Sequence, residues 1–202
     1  MIVIVDSGVA NLASVMAALE RLQAEAMISA DPATIREAGH VILPGVGSAQ
    51  AAMAKLRERK LVDTLRGLTQ PVLGICLGMQ MLFDQSEEGA EEGGYTPCLG
   101  LIKGTVKRMQ AAKDSPIPHM GWNQLAPYGP ASPLLEGIPK ESYVYFVHSY
   151  AAPLGDATRA TCEYAANAFT AIASERNFHG CQFHPERSGA IGSRILQNFL
   201  KI

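Results

Sequence analysis

Cys76, His184 and Glu186 are the residues whose types and spacing suit covalent chemistry. Cys76 stands between an apolar run, Val72 to Ile75, and a stretch with helical spacing, with Gly74 and Gly78 two residues away on either side. That is a G-x-nucleophile-x-G pattern with sulfur in place of a serine oxygen. A sharp strand-to-helix turn strains the nucleophile's backbone and needs small neighbours. It lifts the side chain above the sheet and aims a helix N-terminus at it, which favours thiolate over thiol. A glycine-flanked cysteine is also a common small core residue, so the pattern alone leaves both readings open. His184 and Glu186 move the balance. Two residues apart, they share one face of an extended chain. A carboxylate there accepts from one imidazole nitrogen, fixes the tautomer and turns the other nitrogen to the thiol, giving nucleophile, base and orienter.

The elements that must carry these residues follow from periodicity. Ile2 to Val5 is a continuous apolar run, as in a strand covered on both faces, and ends in the turn Asp6-Ser7-Gly8-Val9-Ala10-Asn11. Leu12, Val15, Met16, Leu19 and Leu22 then mark one helical face, with Asn11 placed to cap it. A short segment, Ala26 to Ser29, precedes Asp31-Pro32, which suits a helix start. Val41-Ile42-Leu43 is a second buried strand, closed by Pro44-Gly45-Val46-Gly47. Helical spacing resumes through Met53, Leu56, Leu61, Val62, Leu65 and Leu68. Val72 to Ile75 is the third strand, and Leu77, Gln80, Met81, Leu82 and Gln85 predict the helix after it. Strand, turn and helix repeated in this way predict a parallel sheet with helices on both sides. After the acidic, glycine-rich loop Glu87 to Pro97 the runs shorten: Leu101–Val106, Ile117–Leu125, Tyr143–Val147, Phe169–Ala173 and Phe178–Phe183. They predict strands, several antiparallel at one edge, before a last helix bearing Ile191, Ile195, Phe199 and Ile202. The expectation is one α/β domain over residues 1–202, a three-layer sandwich with a mostly parallel, mixed sheet of flavodoxin-like type.

Composition narrows the classes. With 48% hydrophobic and 18% charged residues over 202 positions, the chain suits a substantial core. A net charge of −2 gives no argument for nucleic acid or an anionic membrane. The basic run Lys55 to Lys60 is expected on a solvated helix face. Cys76, Cys98, Cys162 and Cys181 form no C-x-x-C pair and no metal spacing with the histidines. Neither a disulfide framework nor a metal is expected, and a free reactive thiol suits the cytoplasm. Met1 to Asp6 lacks the basic start of a signal peptide, and no apolar run approaches the ~20 residues needed to span a bilayer.

Gly74-Ile75-Cys76-Leu77-Gly78-Met79-Gln80 together with Phe183-His184-Pro185-Glu186 resembles the class I, triad-type glutamine amidotransferases. The resemblance implies that Cys76, His184 and Glu186 hydrolyse glutamine to glutamate and ammonia without cofactor or metal. It also bears on Pro44-Gly45-Val46-Gly47. A dinucleotide turn would need a third glycine where Gln50 stands. In the family this turn, here Gly45, Val46 and Gly47, offers a backbone N–H to the tetrahedral oxyanion, and the residue after the nucleophile, here Leu77, offers the second. By the same resemblance Gln80 holds the substrate glutamine, although a structural amide one helical turn from Cys76 is the plainer role. Glu88, or its neighbour Glu87, meets the α-ammonium group. His148-Ser149-Tyr150 matches a segment whose backbone receives the α-carboxylate, with His148 structural.

Within that family, Asn11-Leu12-x-Ser14 and Pro118-His119-Met120-Gly121-Trp122-Asn123 resemble the glutaminase subunits of imidazole glycerol phosphate synthases, over nearly the whole chain. Here Ser7, Ala10 and Arg187 stand where the commonest pattern has Tyr, Gly and Lys. The resemblance implies a heterodimer with a separate (β/α)-barrel cyclase subunit, through which the ammonia travels, and puts Asn11, Trp122 and Arg187 near that partner. Rival readings are a paralogous amidase feeding another synthase, a regulatory protein with a decayed triad, or a cysteine peptidase of related architecture.

Overall fold

The computed structural model describes residues 1–8, 10–91 and 93–202; Val9, in the predicted first turn, and Glu92, in the predicted acidic loop, lie outside the described residues. In chain order, β1 (Ile2–Val5), α1 (Leu12–Arg21), β2 (Ala26–Ser29), α2 (Pro32–Glu37), β3 (His40–Gly45), α3 (Ala49–Glu58) and α4 (Val62–Arg66) lead to β4 (Val72–Cys76) and α5 (Leu77–Gln80). Then come β5 (Phe83–Ser86), β6 (Thr96–Pro97), β7 (Ile102–Arg108), β8 (His119–Gln124), β9 (Ala126–Pro127), β10 (Tyr143–His148) and β11 (Tyr150–Ala151). The chain continues through β12 (Thr158–Tyr164), β13 (Asn167–Glu175) and β14 (Phe178–Cys181), and closes with α6 (Gly189–Phe199).

Side-chain alternation in the strands divides the interior into two cores. Val3 and Val5 of β1 enter one, Ile2 and Ile4 the other; β3 separates Val41 and Leu43 from Ile42 in the same way. Ile35, Met53, Leu56 and Leu65 from α2, α3 and α4 cover the first face, and Val15, Leu19, Ile195 and Phe199 from α1 and α6 the second. Helices, sheet and helices are the three layers that the strand runs predicted. The caps agree too: the Asn11 side chain accepts from Ser14 N, and that of Asp31 from Thr34 N.

The main sheet runs β2-β1-β3-β4-β14-β13-β12-β9. It is parallel from β2 to β14 and antiparallel from β14 to β9. Strand order reverses between β1 and β3, and in such sheets ligands sit beyond the carboxyl ends of the strands near that reversal. Gly45 ends β3, Cys76 ends β4, and His184 follows β14. β8 and β10 form a separate antiparallel pair, and β11-β7-β5-β6 a third sheet.

Three expectations are corrected. The helix after Cys76 spans four residues and does not reach Gln85. Leu82 O accepts from the N–H groups of Leu101 and Ile102, and Asp84 Oδ2 accepts from Gly104 N at 3.0 Å. Pairing with β7 thus outweighs a weak helical pattern and draws Phe83–Ser86 into a strand. β12 was not among the expected strands. The basic run is not wholly solvated, because Arg59 leaves it to hold the Asp6 carboxylate at 2.9 Å, at the end of β1.

Candidate active site

Cys76 has φ 54 and ψ −112, a backbone that side-chain-bearing residues rarely adopt and that costs of order 1–3 kcal/mol. The strain predicted for the elbow therefore sits on Cys76 itself. Its glycine neighbours are required by packing. A Cβ at Gly78 would overlap the Leu43 carbonyl of β3, and one at Gly74 would come within 2.7 Å of Gly78 O and Met79 Cα. With α5 only one turn long, the expected macrodipole reduces to the few N–H groups that follow the sulfur.

His184 reaches the same place from the other side. Its N–H donates to Tyr145 O at 2.9 Å, and its carbonyl accepts from Ser188 Oγ at 2.7 Å. The sequence argument brought His184 and Glu186 together through extended chain, but Pro185–Arg187 is a 3-10 turn with Pro185 at its first position. The turn delivers the same pairing: His184 Nδ1 lies 2.7 Å from Glu186 Oε1. A carboxylate only accepts, so Nδ1 carries the proton and Nε2 is left to face the cavity that holds Cys76. Burial works against a charged imidazole here. The hydrogen bonds to Cys76 and Glu186, with their charges, outweigh it and raise the His184 pKa to about 10.

These groups open into a cavity of about 300 Å³. Asn11, Gly45, Val46, Gly47, Leu77, Gln80, Glu88, Ser149, Tyr150 and Arg187 all line it beside the three. Gly47, at φ +86, has no heavy atom within 4 Å of where a Cβ would stand. Glu88, not Glu87, faces this space. Its Oε2 accepts from Ala49 N at 3.2 Å and burial raises its pKa, whereas Glu87 turns aside to accept from Arg108 N. Trp122 is the one expected site residue outside the lining. It is 55% exposed on the outer face of β8, edge-on to Tyr145 at 6.1 Å, and Arg187 lies 4.7 Å over that Tyr145 ring. A larger hollow of about 520 Å³, between Leu125 and Arg159, contains no cysteine or histidine; chemistry rather than volume selects the site.

Two participants escaped sequence reasoning. Gln182 is fully buried; its Oε1 accepts from Gln80 Nε2 at 3.0 Å and its Nε2 points to Cys76 Sγ at 3.8 Å. It stands two residues before His184, the spacing already used for Glu186, and that was the available signal. Ser188, whose Oγ also accepts from Tyr145 N at 2.9 Å, carried no signal beyond proximity. Gln80 Nε2 is engaged twice, by Gln182 Oε1 and by Tyr150 O at 2.8 Å.

Comparison with known proteins agrees with this geometry. The model of the family "Glutamine amidotransferase class-I" matches residues 3–202. The imidazole glycerol phosphate synthase subunit HisH of Shewanella loihica is 52% identical over 205 residues, covering 99% of this chain and 90% of that protein. The HisH 1 subunit of Vibrio vulnificus is 47% identical, covering 100% and 98%. Among solved structures, PurLQS from Thermotoga maritima shares the fold with a TM-score of 0.69 at 21% identity, covering 99% of this chain and 97% of that one. The chain belongs to the class I glutamine amidotransferases, in the HisH family of imidazole glycerol phosphate synthase subunits.

Proposed function

We propose that this chain is the glutaminase subunit of imidazole glycerol phosphate synthase, in histidine biosynthesis. It hydrolyses glutamine and passes ammonia to a cyclase subunit that makes imidazole glycerol phosphate and aminoimidazole carboxamide ribonucleotide. The observation that carries the reading is the strained Cys76 in one cavity with the His184–Glu186 pair, in a chain about half identical to HisH subunits. Cys76 sulfur attacks the side-chain carbonyl of glutamine. The oxyanion that forms takes N–H groups from the turn Gly45-Val46-Gly47 and from Leu77. His184 gives its proton to the departing nitrogen, so ammonia leaves and a thioester remains. Water then attacks the thioester as His184 accepts a proton, and glutamate and free thiol are regenerated.

Glu186 holds the imidazole's tautomer and offsets its charge. Glu88 receives the α-ammonium group and the backbone at Ser149 and Tyr150 the α-carboxylate. Gln80, its amide nitrogen already engaged, offers the substrate its oxygen. Asn11, Trp122 and Arg187 face the cyclase. The cytoplasm suits a reactive thiol and four free cysteines; among the described residues no helix is long and apolar enough to cross a membrane.

The test is glutamine hydrolysis by the chain alone and with the cyclase. Cys76→Ser should abolish it, because a hydroxyl is far less acidic than a thiol of pKa ~8.5. Ammonia-dependent cyclisation by the partner should survive. Wild-type turnover in the mutant would remove Cys76 as nucleophile.

A further inference from the structure

His119 belongs to the stretch that distinguishes this branch of the family, yet the reaction above leaves it without a task. It is buried, and its cross-strand partner in the β8–β10 pair is His148, buried as well. His119 Nδ1 lies 3.0 Å from His148 Nε2, and His148 Nδ1 lies 2.9 Å from Tyr150 O. At the other end His119 Nε2 lies 3.3 Å from Asn123 Nδ2.

The directions of these bonds follow from one fact, that a carbonyl oxygen cannot donate. His148 Nδ1 must therefore donate to Tyr150 O. Burial holds the His148 pKa down to about 3, so the ring is neutral and its Nε2 is a bare acceptor. His119 Nδ1 must then donate to it. Burial likewise lowers His119 to about 4, which leaves its Nε2 to accept from Asn123. Asn123 is fixed in turn, since its Nδ2 donates to Glu163 O at 2.9 Å and its Oδ1 accepts from Gln124 N at 2.8 Å. The His119 ring is held flat between Tyr164, at 4.0 Å, and Phe146, at 4.8 Å. Tyr150 O, where the chain of bonds ends, also accepts from Gln80 Nε2.

We propose that His119 and His148 are positioning residues: a neutral, one-directional relay that fixes the Tyr150 carbonyl, and with it the backbone that receives the substrate's α-carboxylate, against strand β8. The inference rests on the glutamine-binding reading above. A neutral imidazole, with one donor and one acceptor, transmits direction in a way that a charged ring, with two donors, does not. Met120 and Trp122, which alternate with His119, Gly121 and Asn123 along β8, point outward and are exposed. One strand thus presents its outer face to solvent and its inner face to the substrate loop.

Two measurements test this. Nitrogen-15 NMR of the full chain should find both His119 and His148 as Nδ1–H tautomers near neutral pH; an Nε2–H tautomer at either overturns the relay without recourse to any variant. Steady-state kinetics with the cyclase present should find the glutamine KM of His119→Phe raised about 2- to 10-fold, the loss of one neutral hydrogen bond, with kcat changed less. His119→Asn, which keeps a donor and an acceptor, should recover most of the affinity. A His119→Phe enzyme with wild-type KM overturns the positioning role. So does an equal loss in both variants that follows a common fall in melting temperature. A wild-type complex that turns over no glutamine overturns the proposed function and this inference together, whereas the other outcomes strike the relay alone.

Discussion

The two nitrogens of His184 answer to different partners, and each dependence can be measured. Glu186→Gln keeps the shape of the Nδ1 contact and removes the charge that stabilises the imidazolium. Turnover should therefore fall by at least about tenfold while the glutamine KM changes little; full turnover would make Glu186 a structural acid and the triad a dyad. Cys76→Ala removes one of the partners that raise the His184 pKa, so that pKa should fall relative to wild type in an NMR titration. The sign for stability follows. A histidine whose folded pKa exceeds its unfolded value of ~6.5 adds stability that is complete below that pH and is lost as pH rises through the folded value. In Cys76→Ala that loss should come at lower pH, and an unchanged or higher pKa would show that Cys76 does not set it. At this scale much of the site was legible. Cys76, His184 and Glu186 announce themselves by residue type and by glycine or proline neighbours. Gln182 and Ser188 do not, because an amide and a hydroxyl acquire meaning only from the atoms they touch.

At the scale of elements, the turn from Gly45 to Gly47 sets one glycine in the left-handed region and the other against α5. Gly47→Ala adds no clash but disfavours φ +86, whereas a Cβ at Gly45 would lie 3.0 Å from Gly78 N and Leu77 Cβ, against the helix that follows Cys76. A missing oxyanion donor costs ~100- to 1,000-fold in rate. If the cyclase and its nucleotide ligand act by bringing this N–H to the site, stimulation of about that size is expected in wild type. Gly47→Ala should blunt it more than it weakens glutamine binding. The measurement is the glutaminase rate of the free chain, the complex and the liganded complex; a free chain as fast as the liganded complex ends the gating idea. β1, β3 and β4 were readable because strands buried on both faces spell unbroken apolar runs, as in Ile2–Val5, whereas β2, with Met27 and Ile28 exposed, offered only a short segment. β5 was not, since Phe83-Asp84-Gln85-Ser86 becomes a strand only through its pairing with β7, and no local pattern reports a distant partner. β12 escaped for a related reason: Thr158-Arg159-Ala160-Thr161 alternates small and polar residues rather than large apolar ones.

For the molecule as a whole, the outer face of the β8–β10 pair is the surface most in want of a partner. Met120, Trp122 and Tyr143 are 66%, 55% and 52% exposed there. The face joins the cavity mouth through Val147 and Arg187. Large exposed aromatics beside a site are the usual anchors of an interface. Trp122→Ala should raise the Kd for the cyclase at least about tenfold while leaving the melting temperature of the free chain within a few degrees; unchanged affinity would remove this face from the interface. The order of the main sheet has a consequence for how the protein comes into being. β14 lies at the centre, between β4 and β13, yet Gln182 and Cys76, which touch, are 106 residues apart in sequence. At ~5–20 residues per second of synthesis, Cys76 is made several seconds before His184. Until β14 inserts, the edge of β4 is open and the thiol lacks the imidazole of His184. On the mechanism proposed above, ribosome-bound chains stalled before residue 178 should release no ammonia from glutamine, and should react with a glutamine-derived electrophile at Cys76 no faster than an ordinary thiol would.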